Sequence, residues 1–448
     1  MPALDTIAAF VAGLTADAIP GPAKVRAALA LRDTIGTMVG GTQTSAARIA
    51  SDVARRDHGD SALVGGGVAS SGMAAFANGV AASALDFDDG HYRGGAIHPS
   101  SVLVATLLAS APPGATLDAL LTAQVAGLEV AVRAASLLWP KHPDDDYHCT
   151  GTGAALGAAA AAAKLRGLDT DGIARAIAIA WAHAPMAAFQ WPMLKESIGW
   201  SAATATTAVR LAEAGFMSFA GERRPPAPDV FPPTPFDRAK AMDDPFVDTW
   251  GTVFETANTY FKPFAACRYT HAAAGGLRDF MRTNSLAADD IRSIEVGTHR
   301  AAVFLDETRP PSLEHAQYSF PFVLAAIACH GAAGAGEISE DRLDDPAMLD
   351  FCDRVSVSHA ADLDALYPAH YPAVLRITGN DGSRCDLMCE IAPGDSEAPM
   401  TSDELHDKFL GLVTLVLGED ESRDLATDLV APSGAVADLV GRMQPRSR

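Results

Sequence analysis

Four short segments of this acidic chain place basic or imidazole side chains among apolar residues, and three of those segments contain no carboxylate. The segments are 91–101 (HYRGGAIHPSS), 147–153 (YHCTGTG), 189–200 (FQWPMLKESIGW) and 261–275 (FKPFAACRYTHAAAG). Their basic and imidazole residues are His91, Arg93, His98, His148, Lys195, Lys262, Arg268 and His271. Ionisable groups in apolar surroundings without counter-ions are typical of a pocket for an anionic small molecule. For any one segment, the alternative is a local ion pair or a helix cap.

Three aspartates, Asp86, Asp88 and Asp89, lie directly before the first of these segments, upstream of His98. Carboxylates and an imidazole in one loop can bind a metal ion, which is one interpretation. The other is that Asp86 holds His98 in one tautomer for acid/base chemistry. We favour the second and predict no metal, because the cysteines add no paired ligands. Pro99 is predicted to begin a helix, so His98 would lie at a helix N-terminus, where the dipole favours anions.

Two other interpretations are less favoured. The run at 151–157 reads G-x-G-x-x-x-G and does not follow a strand, so it does not match the Rossmann fingerprint. We predict instead that it begins a helix beside His148. Cys267 and His271 are four residues apart, so a thiolate nucleophile on a shared helix face is an alternative. We predict rather that Arg268 and His271 contact the same anionic ligand, with Cys267 as a small buried residue.

The composition restricts the class of protein. The 448 residues include 55 acidic and 34 basic side chains, a net charge of −21, which disfavours binding to nucleic acid. A hydrophobic content of 48% is ordinary for a packed globular protein. The six cysteines are scattered, and Asp5 precedes any basic residue, so we predict no secretory signal and a reducing, cytoplasmic location. No membrane partner is expected.

The elements that position these segments follow from periodicity. Apolar spacing of three to four predicts helices from the N-terminus to about residue 220, before a proline-rich irregular stretch at 221–244. Strand-like runs follow at 291–297, 354–358, 374–378 and 384–391, and Asp381-Gly382 predicts a hairpin between the last two. We therefore predict a mainly α fold. An all-helical domain would span 1–262 and be rejoined by 400–448, and 263–399 would form a smaller α+β domain.

At these segments the chain resembles the MmgE/PrpD family, which includes 2-methylcitrate dehydratase, cis-aconitate decarboxylase and iminodisuccinate epimerase. The matching motifs are ALDFDDGHYRGGAIHPSS, YHCTGTGAALGAAAAAAKLRGLD, FKPFAACRYTHAA and AQYSFPFVLAAIACHG, with a weaker match at APGDSEAPMTSDELHDKF. They follow the family's order over about residues 80 to 410. The resemblance implies a large helical domain of the family's type and a smaller α+β lid domain, with the active site between them. It also implies no metal or organic cofactor, and a homodimer.

Carried over residue by residue, the family's polar pocket falls on Asp86, His98, His148, Lys195, Lys262 and His271. Two residues depart from the family pattern. Gly90 stands where a threonine usually follows the LDFDD motif, and Cys149 stands where a proline commonly follows the equivalent of His148.

The family's reactions share chemistry at the carbon next to a carboxylate, where a developing carbanion needs charge stabilisation. We predict that His98 is one acid/base group, supported by Asp86. Tyr147 or His148 is predicted to act opposite it. The cations predicted to bind the substrate's carboxylates are Lys195, which is counted among the catalytic groups, and Lys262, Arg268, His271 and Arg93.

The predicted substrate is a small di- or tricarboxylic acid. The main expectation is a hydro-lyase that resembles 2-methylcitrate dehydratase. An epimerase of an iminodisuccinate-like substrate, which needs two facing bases, is the alternative. A cis-aconitate-type decarboxylase and a non-catalytic carboxylate-binding protein are further alternatives.

Overall fold

The structure is a computed structural model, and it describes residues 3–93, 97–138, 149–185, 195–216, 249–429 and 433–444. Tyr147, His148 and the proline-rich stretch at 221–244 lie outside the described residues, so the predictions made for them stay predictions.

Helices make up most of the described chain before residue 216, as the apolar periodicity predicts. In chain order they are α1 (Ala3–Gly13), α2 (Gly21–Gly41), α3 (Ser45–Ala54), α4 (Ser71–Ser83), α5 (Pro99–Ser110), α6 (Leu117–Leu138), α7 (Cys149–Leu165), α8 (Thr170–His183) and α9 (Glu196–Glu213). A short antiparallel hairpin, β1 (Ser61–Ala62) with β2 (Val68–Ala69), lies between α3 and α4.

Small side chains allow the central helices to pack closely. The alanines of α7 from Ala154 to Ala163 are fully buried. A Cβ atom at Gly157 of α7 would overlap the backbone carbonyl of Gly127 in α6, so this crossing requires glycine. Helix α7 therefore lies inside the protein, and its first turn brings Thr150 to the candidate site.

The second half mixes helices with one sheet. Its elements are α10 (His271–Asn284), β3 (Ile291–Thr298), α11 (Leu313–Gln317), α12 (Phe320–His330), α13 (Pro346–Cys352), β4 (Val355–His359), β5 (Ala373–Gly379), β6 (Arg384–Cys389), α14 (Ser402–Leu417), α15 (Glu419–Asp428) and α16 (Val436–Arg442). The strand order is β4-β3-β5-β6, with β3 parallel to β4 and antiparallel to β5. Strands β5 and β6 form the predicted hairpin. A mainly α fold with a smaller mixed sheet is thus confirmed.

Helix α14 returns to the first half of the chain. Thr401 and Glu404 form a capping box at its start, and Phe409 and Leu412 pack against Gly36 and Gly40 of α2. This contact agrees with the expected return of the chain. The domain limits at 262 and 400 stay a prediction.

One described helix, α6, is long and apolar enough to cross a membrane by length and composition alone. However, 78% of its most apolar window is buried inside the protein, and it carries a buried ion pair between Glu129 and Arg133. Helix α6 therefore has the contacts of a core helix. The cytoplasmic location stays a prediction.

Candidate active site

The loop after α4 places Asp86 at the centre of the candidate site. Asp86 has a left-handed backbone with φ of 48°, which is unfavourable for a residue with a side chain. Three hydrogen bonds hold the segment: the Asp86 N–H donates to Ser83 O (2.9 Å), Gln317 Nε2 to Ala84 O (2.9 Å), and Lys262 Nζ to Asp86 O (2.9 Å). Strained backbone that surrounding groups hold in place is typical of functional sites.

Two lysines lie beside the Asp86 carboxylate. Oδ1 of Asp86 is 3.4 Å from Lys195 Nζ and 3.3 Å from Lys262 Nζ, and all three side chains are buried. Burial raises the pKa of Asp86, but the two lysines outweigh that effect and hold the pKa well below its usual value. Among the described residues, neither Asp86 Oδ2 nor Lys195 Nζ has a hydrogen-bond partner. Two cations against one anion leave an excess positive charge, so this cluster can bind a carboxylate.

His98 lies at the N-cap position of α5, directly before Pro99, as predicted. Its Nδ1 is 2.7 Å from the carbonyl oxygen of Asp89, and because a carbonyl only accepts, Nδ1 carries the proton and Nε2 is the basic nitrogen. Burial, with a further contribution from Lys262, lowers the pKa of His98 and keeps its ring neutral. The sequence predicts that the Asp86 carboxylate holds His98 in one tautomer, and the structure differs. The backbone carbonyl of Asp89 sets the tautomer, whereas the Asp86 carboxylate faces the two lysines.

The other two loop aspartates bind the first turn of α5. Asp89 Oδ2 accepts from Ser100 Oγ at 2.6 Å, and Asp88 accepts from Ser101 Oγ. Across the described ranges, no group of three or more His, Cys, Asp or Glu side chains is arranged to hold a metal ion. The alternative of a metal site at Asp86, Asp88 and His98 therefore has no support from the geometry.

Arg268 and His271 contact other protein groups rather than an open space. Arg268 pairs with the buried Asp395 and also donates to Tyr92 Oη (3.2 Å), to His271 Nδ1 (3.0 Å) and to two carbonyls at 392–393. Burial and then Arg268 hold the pKa of His271 well below its usual value, and its Nε2 donates to Ala266 O at 3.0 Å. All five guanidinium N–H groups therefore have protein acceptors. This arrangement differs from the predicted direct contact of Arg268 and His271 with the substrate, because Arg268 pairs with the buried Asp395 instead.

Arg93 and Cys267 have surroundings that differ from those of the two buried lysines. Arg93 Nε is 3.4 Å from Glu255 Oε1, and 53% of the Arg93 side chain is exposed. Burial raises the pKa of Cys267 to about 12, so its thiol is protonated at neutral pH. A thiolate nucleophile is therefore disfavoured.

Two tyrosines at the site are not among the residues that the sequence predicts. The buried Tyr318 places its ring 5.9 Å from Lys195 Nζ, and Tyr260 lies two residues before Lys262 with its ring 6.3 Å from that of His98. Tyr318 lies within the quoted motif AQYSFPFVLAAIACHG and Tyr260 lies directly before the motif that contains Lys262, so their places in the motifs were the available signal. Their positions show that phenol groups also surround the cation cluster.

We expect the free energy of unfolding to decrease as the pH falls below 6.5. Burial lowers the pKa of His98, His271 and His299, the last to about 4. In the unfolded chain these histidines bind protons near their ordinary pKa of 6.5. In the folded chain they bind protons only at lower pH. Each histidine should therefore reduce the free energy by about 1.4 kcal/mol per pH unit between 6.5 and its folded pKa.

Urea unfolding at several pH values measures this slope. His299→Phe tests the contribution of His299 to this slope. A phenyl ring can still stack on Tyr367, whose ring centroid is 4.6 Å from that of His299, so the packing should be kept. The variant should show a shallower slope. A slope that is equal in both proteins would contradict the role of His299.

Comparison with known proteins identifies the family and several relatives of this chain. The family profile of the MmgE/PrpD N-terminal domain matches residues 5–222, and that of the MmgE/PrpD C-terminal domain matches residues 264–431. The cis-aconitate decarboxylase of Homo sapiens is 26% identical over 378 residues, which cover 79% of this chain and 74% of the relative. That of Mus musculus is 26% identical over 384 residues, with the same coverage. That of Aspergillus terreus is 25% identical over 391 residues, covering 82% and 79%.

Proposed function

This chain belongs to the MmgE/PrpD family, and from that premise we propose that it is a cofactor-independent lyase that acts next to a carboxylate of a di- or tricarboxylic acid. The observation that carries the proposal is the buried Asp86 carboxylate between Lys195 and Lys262, with the neutral His98 nearby. This arrangement combines a site for a carboxylate with a group that transfers protons.

The two lysines supply the electrostatic part of the reaction. Both side chains are buried, so their charges act with little screening by water. A substrate carboxylate near Lys195 Nζ would give that nitrogen the hydrogen-bond acceptor that it lacks among the described residues. Negative charge that develops on the substrate would be stabilised by the same cations without rearrangement of the site.

His98 is the proton carrier in this proposal. In the substrate-free protein its Nε2 is basic, because the Asp89 carbonyl holds the proton on Nδ1. An anionic substrate would raise the pKa of His98 once bound, so that Nε2 can also carry a proton to the substrate. The opposing group, predicted as Tyr147 or His148, lies outside the described residues.

Decarboxylation of a cis-aconitate-like acid is the first reaction that we propose, because the relatives described above are cis-aconitate decarboxylases. The bond to the departing CO₂ breaks, and its electron pair moves through the double bond. A proton from the enzyme then adds to the carbon next to a remaining carboxylate, and solvent returns a proton to the enzyme. A hydro-lyase reaction is the second candidate, which the neutral, basic His98 favours, because dehydration begins with removal of a proton.

Proton NMR in D₂O tests the proposal after exhaustive treatment with EDTA. With cis-aconitate we expect new signals of a terminal CH₂ group and one deuterium in the product. Loss of water from 2-methylcitrate would instead support the hydro-lyase. Exchange of a C–H proton in iminodisuccinate without net product would support an epimerase and contradict a lyase.

The same spectra provide the controls. Heat-denatured protein should leave each substrate unchanged. If the chelated native protein shows no reaction with any of the three acids, and one divalent metal restores it, the cofactor-independent proposal is wrong.

A further inference from the structure

Tyr260 is held against the aspartate loop by its own backbone. Gly90 and Tyr260 form an antiparallel bridge, with N···O distances of 3.1 Å from Gly90 N and 2.8 Å from Tyr260 N. A Cβ atom at Gly90 would overlap the hydroxyl and Cζ of Tyr260. The phenol therefore occupies the space that any other residue at position 90 would fill with its side chain.

The contacts of residues 260–262 show where their side chains lie. Phe261 packs with Ala30 and Leu405, whereas Lys262 reaches Asp86. The Tyr260 ring lies edge-on to His98, at 89° between planes, and Lys262 acts on both His98 and Asp86, so Tyr260 lies beside the same group of residues.

The Tyr260 hydroxyl is buried and has no hydrogen-bond partner among the described residues. Burial raises its pKa well above the usual value, so the hydroxyl stays protonated and can donate. The Arg268 guanidinium lies 4.4 Å from the centroid of the Tyr260 ring and fixes its position. A buried donor without an acceptor is unfavourable, and a ligand oxygen would remove that cost.

We propose that the Tyr260 hydroxyl binds the substrate, by donating a hydrogen bond to a carboxylate oxygen of the polycarboxylate held at Lys195 and Lys262, and that Gly90 makes room for it. This inference rests on the substrate class of the proposed function. It assigns to Tyr260 a direct contact with substrate, and to Gly90 a positioning role that acts through Tyr260.

Binding of tricarballylate, a saturated tricarboxylate that cannot be decarboxylated in the same way, tests the inference by titration calorimetry. Tyr260→Phe keeps the ring and its contact with Arg268, so the fold and the Tm should be unchanged. The dissociation constant should rise about tenfold or more, the usual effect of losing a hydrogen bond to a charged acceptor. A dissociation constant within twofold of the wild-type value would overturn the inference.

Tyr371→Phe is the matched control. Its hydroxyl is also buried and unpartnered among the described residues, but its ring packs against Tyr269, 4.8 Å away, and near His299. We expect the affinity of this variant to equal that of the wild type. An equal loss in both variants would show that removing any buried hydroxyl of this aromatic cluster weakens binding, and the inference would be wrong.

The calorimetry also separates this inference from the proposed function. Wild-type protein that binds tricarballylate but converts no acid overturns the proposed reaction, while Tyr260→Phe still decides the hydroxyl's role. Protein that converts cis-aconitate normally in the Tyr260→Phe variant, with unchanged KM, overturns the hydroxyl's role alone. Absence of both binding and conversion in the wild type overturns both.

Discussion

His98→Gln should reduce turnover by roughly a hundred- to ten-thousandfold, the usual range for a lost general acid or base. Glutamine can still donate a hydrogen bond to the Asp89 carbonyl, which His98 Nδ1 reaches at 2.7 Å. It cannot exchange a proton near neutral pH. The fold and the binding of tricarballylate should therefore persist while kcat falls, as steady-state kinetics and calorimetry would show.

His330→Gln is the control for this substitution. His330 Nε2 is 3.7 Å from Asp345 Oδ2, and His330 is not part of the cation cluster. Its kcat should match that of the wild type. Near-normal turnover of His98→Gln would instead show that His98 is structural, and would move the acid/base role to Tyr147 or His148. If the enzyme proves to be an epimerase, exchange at the substrate carbon should become one-sided in His98→Gln.

Lys195→Ala should lower kcat/KM on the order of a hundredfold or more and leave the protein folded. This factor corresponds to a loss of about 2 to 4 kcal/mol of transition-state stabilisation. The Lys195 ammonium makes no hydrogen bond within the described part of the chain and lies 3.4 Å from Asp86 Oδ1. Its removal leaves Asp86 paired with Lys262. The lost charge is therefore expected to affect the substrate more than the fold, which kinetics and thermal unfolding together would measure.

Lys262→Ala should behave differently from Lys195→Ala. Lys262 is fully buried and holds both the carbonyl and the carboxylate of Asp86. Removing one partner of such a buried pair costs about 3 to 5 kcal/mol of stability, so this variant should lose stability as well as activity. Lys24→Ala, a change on the exposed side of α2, should alter neither property. Unfolding of Lys195→Ala would show that Lys195 is a structural ion-pair partner.

Local patterns in the sequence predict most of the described elements. The helix beginning at Pro99 and the hairpin at Asp381-Gly382 appear where the sequence places them. Helix caps, turns and apolar periodicity depend on residues a few positions apart. Such signals can therefore be recognised without knowledge of the tertiary contacts.

The sequence also selected Lys195 and Lys262, the two lysines that lie beside Asp86, because basic residues with few nearby acids stand out in a chain with a net charge of −21. It could not show which acid each cation would meet. Lys262 and Asp86 are separated by 176 positions, and Arg268 and Asp395 by 127.

These long-range pairings decide the chemistry of each group. Arg268 pairs with Asp395 and has no N–H group left for a ligand, whereas the Lys195 ammonium makes no hydrogen bond among the described residues. The Asp89 carbonyl, a backbone atom that no side-chain pattern reveals, sets the tautomer of His98. The charge and proton state of a buried side chain depend on the atoms that surround it in space, and those atoms become neighbours only when the chain folds.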